Sequence, residues 1–568
     1  MSKDKKNKIL YITPKKDTVS ANREIVSKLS PLSGSKALNM VLDHENPGEL
    51  VKSMTKVDLF WLIKKVGDDD SFPLLSLAST EQWQYIMDME IWNRDNLNMP
   101  STFQWLDRLQ KADPERLPQF LYSEDGSLLS HLFFSKIIDL KIKDNDDFIQ
   151  PEGYITFDNL YYIKILAGEQ SQDIEVILKN MALSNHTRFQ ALIMGIQGSI
   201  PSEIEEEMYR LKSVRLAEEG YLPFEEAAAV YAHLKSDRLK KDTSEYILNI
   251  PEDDDSRTLV PITPFMTTRE DDLFAMAASG IDDYLILDRL RLEFGGLCNQ
   301  ILSADRVQFE SVDDLIDVCR KAGGYINIGL EKLSEGSLKI AEEFIKSHPL
   351  VILFRTGFSQ ALELNWHAKK WLESSWFTKK GLDPDFWGNN SGGTLKGVLL
   401  EKPLYYSEQK EADPFRDFRS LNEIIETKTI LDRMALLDML INDIIVERNN
   451  PELGTAGKTD ITIYSLLITI WIKSAIGLPE DFQPLPLEEA KLAFEKLRKG
   501  ENSTPFKMSS HEKPFIEFFS SFSILKKHYD SGFIEETLSQ LWNEFAEEYA
   551  MIETSDLDPK YSKYVLID

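Results

Sequence analysis

Glu363 and His367 stand four residues apart in a stretch whose apolar spacing is helical. That interval puts a carboxylate and an imidazole on one helix face. Such a pair can hold a metal ion or orient a general base. Thr356, Gln360 and Lys370 fall on the same face, opposite the apolar positions, so the expectation is a solvent-exposed ion pair. Arg355 lies beside the apolar seam. It could meet a buried carboxylate, bind an anionic ligand or lay its stem on apolar surface with its head in water. A structural role is expected.

The other chemistry-bearing motifs fail on spacing. GTAGKT from Gly454 resembles the end of a phosphate-binding loop, but the position that must be glycine is Glu452, an acid where phosphates would sit. NNSGG from Asn389 lacks the strand-turn-helix frame of a dinucleotide loop and is expected to be a flexible surface loop. The acidic run Glu203–Glu207 would fan around a helix instead of converging on a cation. It is expected to be a solvated face favoured by the helix dipole. Eight histidines are scattered, with no HExxH and no Cys/His pair at zinc spacing. No GxSxG elbow occurs. Cys298 and Cys319 cannot form a disulfide framework or a four-cysteine site. Cys319 shares an apolar face with Leu315 and Ile316 and is expected to be a buried thiol in a reducing cytoplasm. No catalytic, cofactor-binding or metal-binding residue is assigned, and no cofactor.

The elements that carry these residues read as helices with marked ends. Pro47 suits a first turn, with Leu50, Val51 and Met54 on one face. Thr55 with Asp58, and Ser79 with Gln82, are helix-start pairs. Val57, Phe60, Trp61 and Lys64 form a stripe whose last member snorkels, and Gly67 stops it, followed by a solvated turn at Asp68–Asp70. Trp83, Ile86 and Met87 follow Gln82. NPGELVKSM at Asn46 is echoed by DPERLPQFL at Asp113. Asp144 to Tyr154 is a polar break, with mainly helical sequence on to 235. Ser202 with Glu205 opens a helix whose stripe is Met208, Leu211, Val214 and Arg215, ending at Gly220, and Pro223 starts another. Helices are expected from Asp271 to Ile301 with a break at Gly280. Another starts at Ser311 and Asp314 and stops at Gly323-Gly324. The long helix from Pro349 repeats Leu350, Leu353, Phe354, Gly357, Ala361 and Leu364, and its Gly357 and Ala361 allow a neighbour to come close. Gly381 to Pro414 reads as loop. Leu431, Met434, Leu437 and Ile441 form a further stripe, and a last helix runs from Phe533 to Ile552.

The chain has 568 residues, 42% hydrophobic, with 65 Lys+Arg against 94 Asp+Glu and a net charge of −29. It can bury large cores. Its sign opposes phosphate backbones, so nucleic acid is not an expected partner. Ile461 to Ile472 is the most apolar run, shorter than the roughly 20 residues of a membrane span, and is expected to be a buried helix or strand. A cytoplasmic protein is expected.

LASTEQWQYIMDMEIWNRDNLN at Leu77, YRLKSVRLAEEGYLPFEEAAAVYAHL at Tyr209 and AEEFIKSHPLVILFRTGFSQALEL at Ala341 resemble an uncharacterised bacterial family, a domain of unknown function, over about residues 30 to 540. The resemblance implies a largely helical cytoplasmic protein and supplies no activity. Residues 32 to about 135 are also similar in pattern to the N-terminal helical superhelix of the MgtE magnesium transporter and to flagellar motor-switch helical repeats. The chain lacks the transporter's membrane helices, so no residue is carried over.

The expectation is therefore an all-α or nearly all-α, multi-domain helical protein with an N-terminal α-solenoid-like segment. The expected divisions are a disordered lead-in at 1–30, a helical repeat domain at 31–145, a helical domain at 150–240, a linker at 241–264, a helical domain at 265–450 and a C-terminal helical domain at 455–568. The expected function is a cytoplasmic interaction or scaffold protein with a protein partner. The alternatives are an enzyme or ligand-binding regulator with a site between helical domains, and a divalent-cation sensor.

Overall fold

The computed structural model describes residues 21–29, 31–143, 149–198, 200–235, 272–306, 312–408, 413–447, 461–499 and 504–568. The expected linker at 241–264, the GTAGKT motif and Ser311 lie outside them. The protein is all-α with a few short strands. Two compact units are present, residues 1–357 and 358–568.

The first unit begins with α1 (Ala21–Leu29), within the expected lead-in, α2 (Gly34–Leu42), α3 (Pro47–Ser53), α4 (Lys56–Val66), α5 (Phe72–Leu77) and α6 (Thr80–Glu90). After a tight hairpin of β1 (Trp92–Asn93) and β2 (Asn96–Leu97) come α7 (Met99–Ala112), α8 (Arg116–Leu121) and α9 (Glu124–Ile137). From α2 to α7 each helix packs on the second one along: α2 on α4, α3 on α5, α4 on α6, α5 on α7. The start signals work as their chemistry requires. Thr55 accepts the Asp58 amide at 3.0 Å, and Ser79 and Gln82 form a complete capping box. The Gln82 amide also donates to the carbonyls of Val51 and Met54, both at 2.9 Å, so one side chain starts α6 and closes α3. Helix α4 is buried nearly all round. Lys64 does not snorkel. Its ammonium is buried, 2.7 Å from Glu90 and near the Phe60 and Trp105 rings.

An antiparallel sheet ordered β3-β5-β4 interrupts the helices where helix was expected, from β3 (Ile138–Ile142) through β4 (Ile155–Thr156) to β5 (Tyr161–Ile165). Its runs are rich in β-branched and aromatic residues. Helices α10 (Ser171–Ser184), α11 (His186–Gly198), α12 (Pro201–Ala217) and α13 (Phe224–Ala227) follow. Both α11 and α12 pack on α9. Then come α14 (Leu273–Ser279), α15 (Tyr284–Asp305), α16 (Val312–Ser334), α17 (Leu338–Ser347) and α18 (Leu350–Ser374), in which the unit boundary falls. Gly323-Gly324 does not stop α16. Both glycines are buried inside it. Burial outweighs their poor propensity, about 1 kcal/mol each. The expected close approach at Gly357 is present: a Cβ there would stand 1.9 Å from the Tyr325 carbonyl oxygen, and one at Gly329 would stand 2.2 Å from that of Leu353.

The second unit holds the rest of α18, then α19 (Trp376–Lys379), α20 (Gly388–Leu399), α21 (Leu421–Glu447), α22 (Ile463–Ile476), α23 (Leu487–Leu497), α24 (Glu512–Ser520), α25 (Ser523–His528) and α26 (Ser531–Tyr549). NNSGG is therefore the first turns of a helix, not a surface loop. Its glycines are needed for packing: a Cβ on Gly392 would lie 2.4 Å from the Pro384 oxygen, and one on Gly393 2.4 Å from the Tyr406 ring. The apolar run is α22, capped by Thr462 and buried. No helix among the described residues is long and apolar enough to cross a membrane. Beyond α26 the chain returns to the core, where Leu485 and Ile567 pair and Val565, Leu566 and Ile567 are buried.

Candidate functional site

Helix α12 packs on α6 and α9 through several charged side chains. Pro201 occupies its first turn, and no side chain caps it, so the expected Ser202 start is not formed. Glu205 instead accepts the Leu97 amide at 2.8 Å and the Lys136 ammonium at 2.9 Å, which takes it out of the expected solvated face. Met208 and Leu216 are buried, whereas Val214 is 55% exposed, so the helix docks on a face rotated from the expected stripe. Arg215 reaches α6, where its Nε donates to Asp88 Oδ2 at 2.7 Å and its Nη2 to Oδ1 at 2.8 Å. Gln84 also donates to Oδ1, at 3.0 Å.

Lys212 lies one turn before Arg215. Its Nζ lies 5.1 Å from the Trp92 ring centroid and 5.5 Å from that of Tyr209, two rings that are themselves 5.6 Å apart. Burial outweighs the nearby Asp88 charge and lowers the Lys212 amine to about 8. Nearby, the Tyr85 and Tyr221 hydroxyls are buried beside each other, and burial pushes both phenols above their ordinary range. Lys56 stands 5.9 Å from the Tyr85 ring and pairs with Glu219 at 2.9 Å. A small pocket opens between α6, α9 and α12, lined by Met87, Asp88, Ile91, Leu129, Met208 and Arg215 among others, with room for about one water molecule.

A family model described as a family of unknown function (DUF6178) matches residues 14–568. The chain belongs to that family. The match extends the expected resemblance to nearly the whole chain, and the family's description carries no activity. No curated protein and no solved structure matches the chain.

The residues singled out by spacing lie elsewhere. His367 pairs through Nε2 with Asp432 Oδ1 at 2.7 Å, a partner on α21. The face assigned to it is not uniformly solvated, since Thr356 and Gln360 are buried. Arg355 donates from Nε to the Ala232 carbonyl at 3.1 Å, a structural role. Cys298 and Cys319 are buried with sulfurs 3.8 Å apart. Among the described residues no three His, Cys, Asp or Glu side chains gather as a cation site requires. In the second unit the most buried carboxylate, Asp438, accepts the amides of Trp376 at 3.2 Å and Phe377 at 2.8 Å and the Trp371 indole at 3.3 Å. It receives the first two amides of α19, whose N-cap is Ser375, and burial raises its pKa against those donors.

Sequence reasoning passed over Asp88 and Lys212. One signal was available. Asp88 follows Trp83, Ile86 and Met87 on a buried face, and Arg215 follows Leu211 on another. Opposite charges on two apolar stripes point to a pair between them.

Proposed function

We propose that the protein is a helical interaction protein that binds a protein partner through apolar surface on the segment from β3 to α13. One observation carries this. Among the described residues, 11 of the 23 exposed large hydrophobic side chains lie between Ile142 and Phe224. Leu183 is 76% exposed, Met194 61% and Ile200 54%. Val176 and Leu183 lie two turns apart on one face of α10, and Met194 is on the adjoining α11. Isolated exposed leucines are ordinary on any surface, but a concentration of them marks an interaction site. The helices beneath are anchored by Ile174, Ile177, Leu178, Phe189 and Ile193, all buried, so the outer residues do not hold the fold.

The test is affinity purification of the tagged full chain from its own cells, in parallel with a variant carrying V176E, L183E and M194E. A stoichiometric partner held by the native chain and lost from the variant, with melting temperature unchanged, is expected. A partner that both chains retain, or none, overturns the reading.

A further inference from the structure

We propose that β3 is an interface between two copies of this chain, pairing edge to edge so that their three-stranded sheets join into one. In the order β3-β5-β4, one side of β3 is paired to β5 and the other is a sheet edge. The Lys143 amide donates to the Leu160 carbonyl at 2.9 Å and the Leu166 amide to that of Ile137 at 2.7 Å. In an antiparallel ladder these bonds fix the alternation. Asp139 and Lys141 turn their backbone groups to β5, whereas Ile138, Leu140 and Ile142 turn theirs outward. The Ile138 amide is taken by the Phe134 carbonyl at the end of α9. The Ile138 carbonyl and both backbone groups of Leu140 and Ile142 have no hydrogen-bond partner among the described residues. Leu140 is half-buried, and Asp139, Lys141 and Ile142 are exposed, so the edge lies open. An open row of amides and carbonyls is a template for another strand.

Charge decides which strand fits. Read in the antiparallel direction, IDLKI is its own complement. With a two-fold axis at Leu140, the two copies of Leu140 exchange both backbone bonds, and each Ile142 amide donates to the Ile138 carbonyl of the other copy. Asp139 then faces the second copy's Lys141, and Lys141 its Asp139, two opposite-charge pairs across the join. Ile142 meets the second copy's Ile138. The neighbouring registers that keep the backbone bonds centre on Asp139 or Lys141 and set like charges face to face, which disfavours both. The two charges are available. Asp139 accepts the Tyr154 hydroxyl and Lys141 stands 4.9 Å from the Tyr154 ring centroid, and neither forms an ion pair among the described residues. On their other flank they face Lys164 and Tyr162 of β5, so no like charges come together there. The contact is isologous and closed, which ends assembly at the dimer. Five residues a side make a small interface, so the dimer is weak and reversible.

The full chain is sedimented over a range of concentrations at about 0.15 M salt, where the repulsion of its net charge reaches only about 8 Å. A dimer whose share rises with concentration is expected. In K141E each Asp139 faces an acid, so the dimer should be lost with the melting temperature unchanged. The chain carrying V176E, L183E and M194E keeps β3 intact and should still dimerise, which separates this contact from the partner surface on α10 and α11. The register is read by oxidising a mixture of D139C and K141C chains. Opposed positions of this kind lie about 4.5 Å apart between Cα atoms, within disulfide reach, whereas two copies of position 139 lie on a diagonal of about 7–8 Å. The mixture should give a linked pair of unlike chains far faster than either chain alone. The native cysteines, Cys298 and Cys319, are buried. A native chain that stays monomeric, a K141E chain that dimerises as well, a dimer lost with the α10 and α11 changes, or D139C alone linking as fast as the mixture overturns the proposal. The disulfide result stands even if K141E folds poorly.

Discussion

Arg215 and Asp88 are 127 residues apart in the chain and meet as a two-point ion pair, Nε to Oδ2 at 2.7 Å and Nη2 to Oδ1 at 2.8 Å. The acid is 5% exposed and the guanidinium 29%. Removing one member of a buried pair costs more than removing both, because the survivor keeps its desolvation without its partner. R215M leaves the more buried charge with Gln84 but without its counter-ion and should cost about 3 kcal/mol, whereas the double change D88L with R215M should cost less. Denaturant titration of the three chains checks the order.

The glycines of α15, α16 and α18 give opposite expectations. G357A drives a Cβ to 1.9 Å from the Tyr325 oxygen, so two helix backbones must part. A loss of about 3 kcal/mol is expected. G296A meets nothing within 4 Å and lies inside α15. Helix propensity then favours alanine by up to about 1 kcal/mol. Equal melting temperatures for these variants would contradict the packing described.

Gln82 is a third test. Glutamate is a favoured partner in a capping box, so Q82E reads as conservative. Here the amide donates to Val51 and Met54 at 2.9 Å. A carboxylate cannot donate, and two carbonyls at the end of α3 face an added negative charge. A cost of about 2 kcal/mol is expected, with Q82A comparable. A neutral Q82E would show that the contact between α3 and α6 does not depend on this side chain.

Lys212 sets a pH signature. Its folded pKa, about 8, lies below the ordinary 10.5. Below about 8 both folded and unfolded chains hold the proton, and the full cost of burying the charge is present. Between about 8 and 10.5 the unfolded chain binds more protons, so this group's contribution to stability rises with pH. K212M should flatten that rise and add about 1 kcal/mol at pH 7, less than the full shift implies because the amine is partly solvated. Measurements should stop near pH 9.5. The raised phenols of Tyr85 and Tyr221 favour the folded state in their neutral form, a contribution that is lost as pH rises through their folded values.

Legibility in the sequence followed the range of the interaction. Thr55, Ser79 and the seam from Leu350 to Leu364 act within a few residues, and their elements lie where spacing puts them. The glycines misled because the same residue that ends a helix in water permits close packing in a core. Gly323-Gly324 and the glycines after Ser391 are helical for that reason. Thr356 and Gln360 were placed on a wet face because polar type was taken for exposure. The candidate site was least legible. Asp88 and Lys212 become unusual only when α12 lies against α6, and no local pattern encodes that docking.

The exposed apolar side chains between Ile142 and Phe224 have a colloidal consequence. A net charge of −29 keeps copies of the chain apart in dilute buffer. Added salt shortens the reach of that repulsion from about 30 Å at 0.01 M to about 3 Å at 1 M. It does not weaken apolar association, and sulfate strengthens it. Self-association through this segment therefore grows with ionic strength, the reverse of an electrostatic complex, and sedimentation in rising sulfate would show it first in the native chain and last in the chain carrying V176E, L183E and M194E.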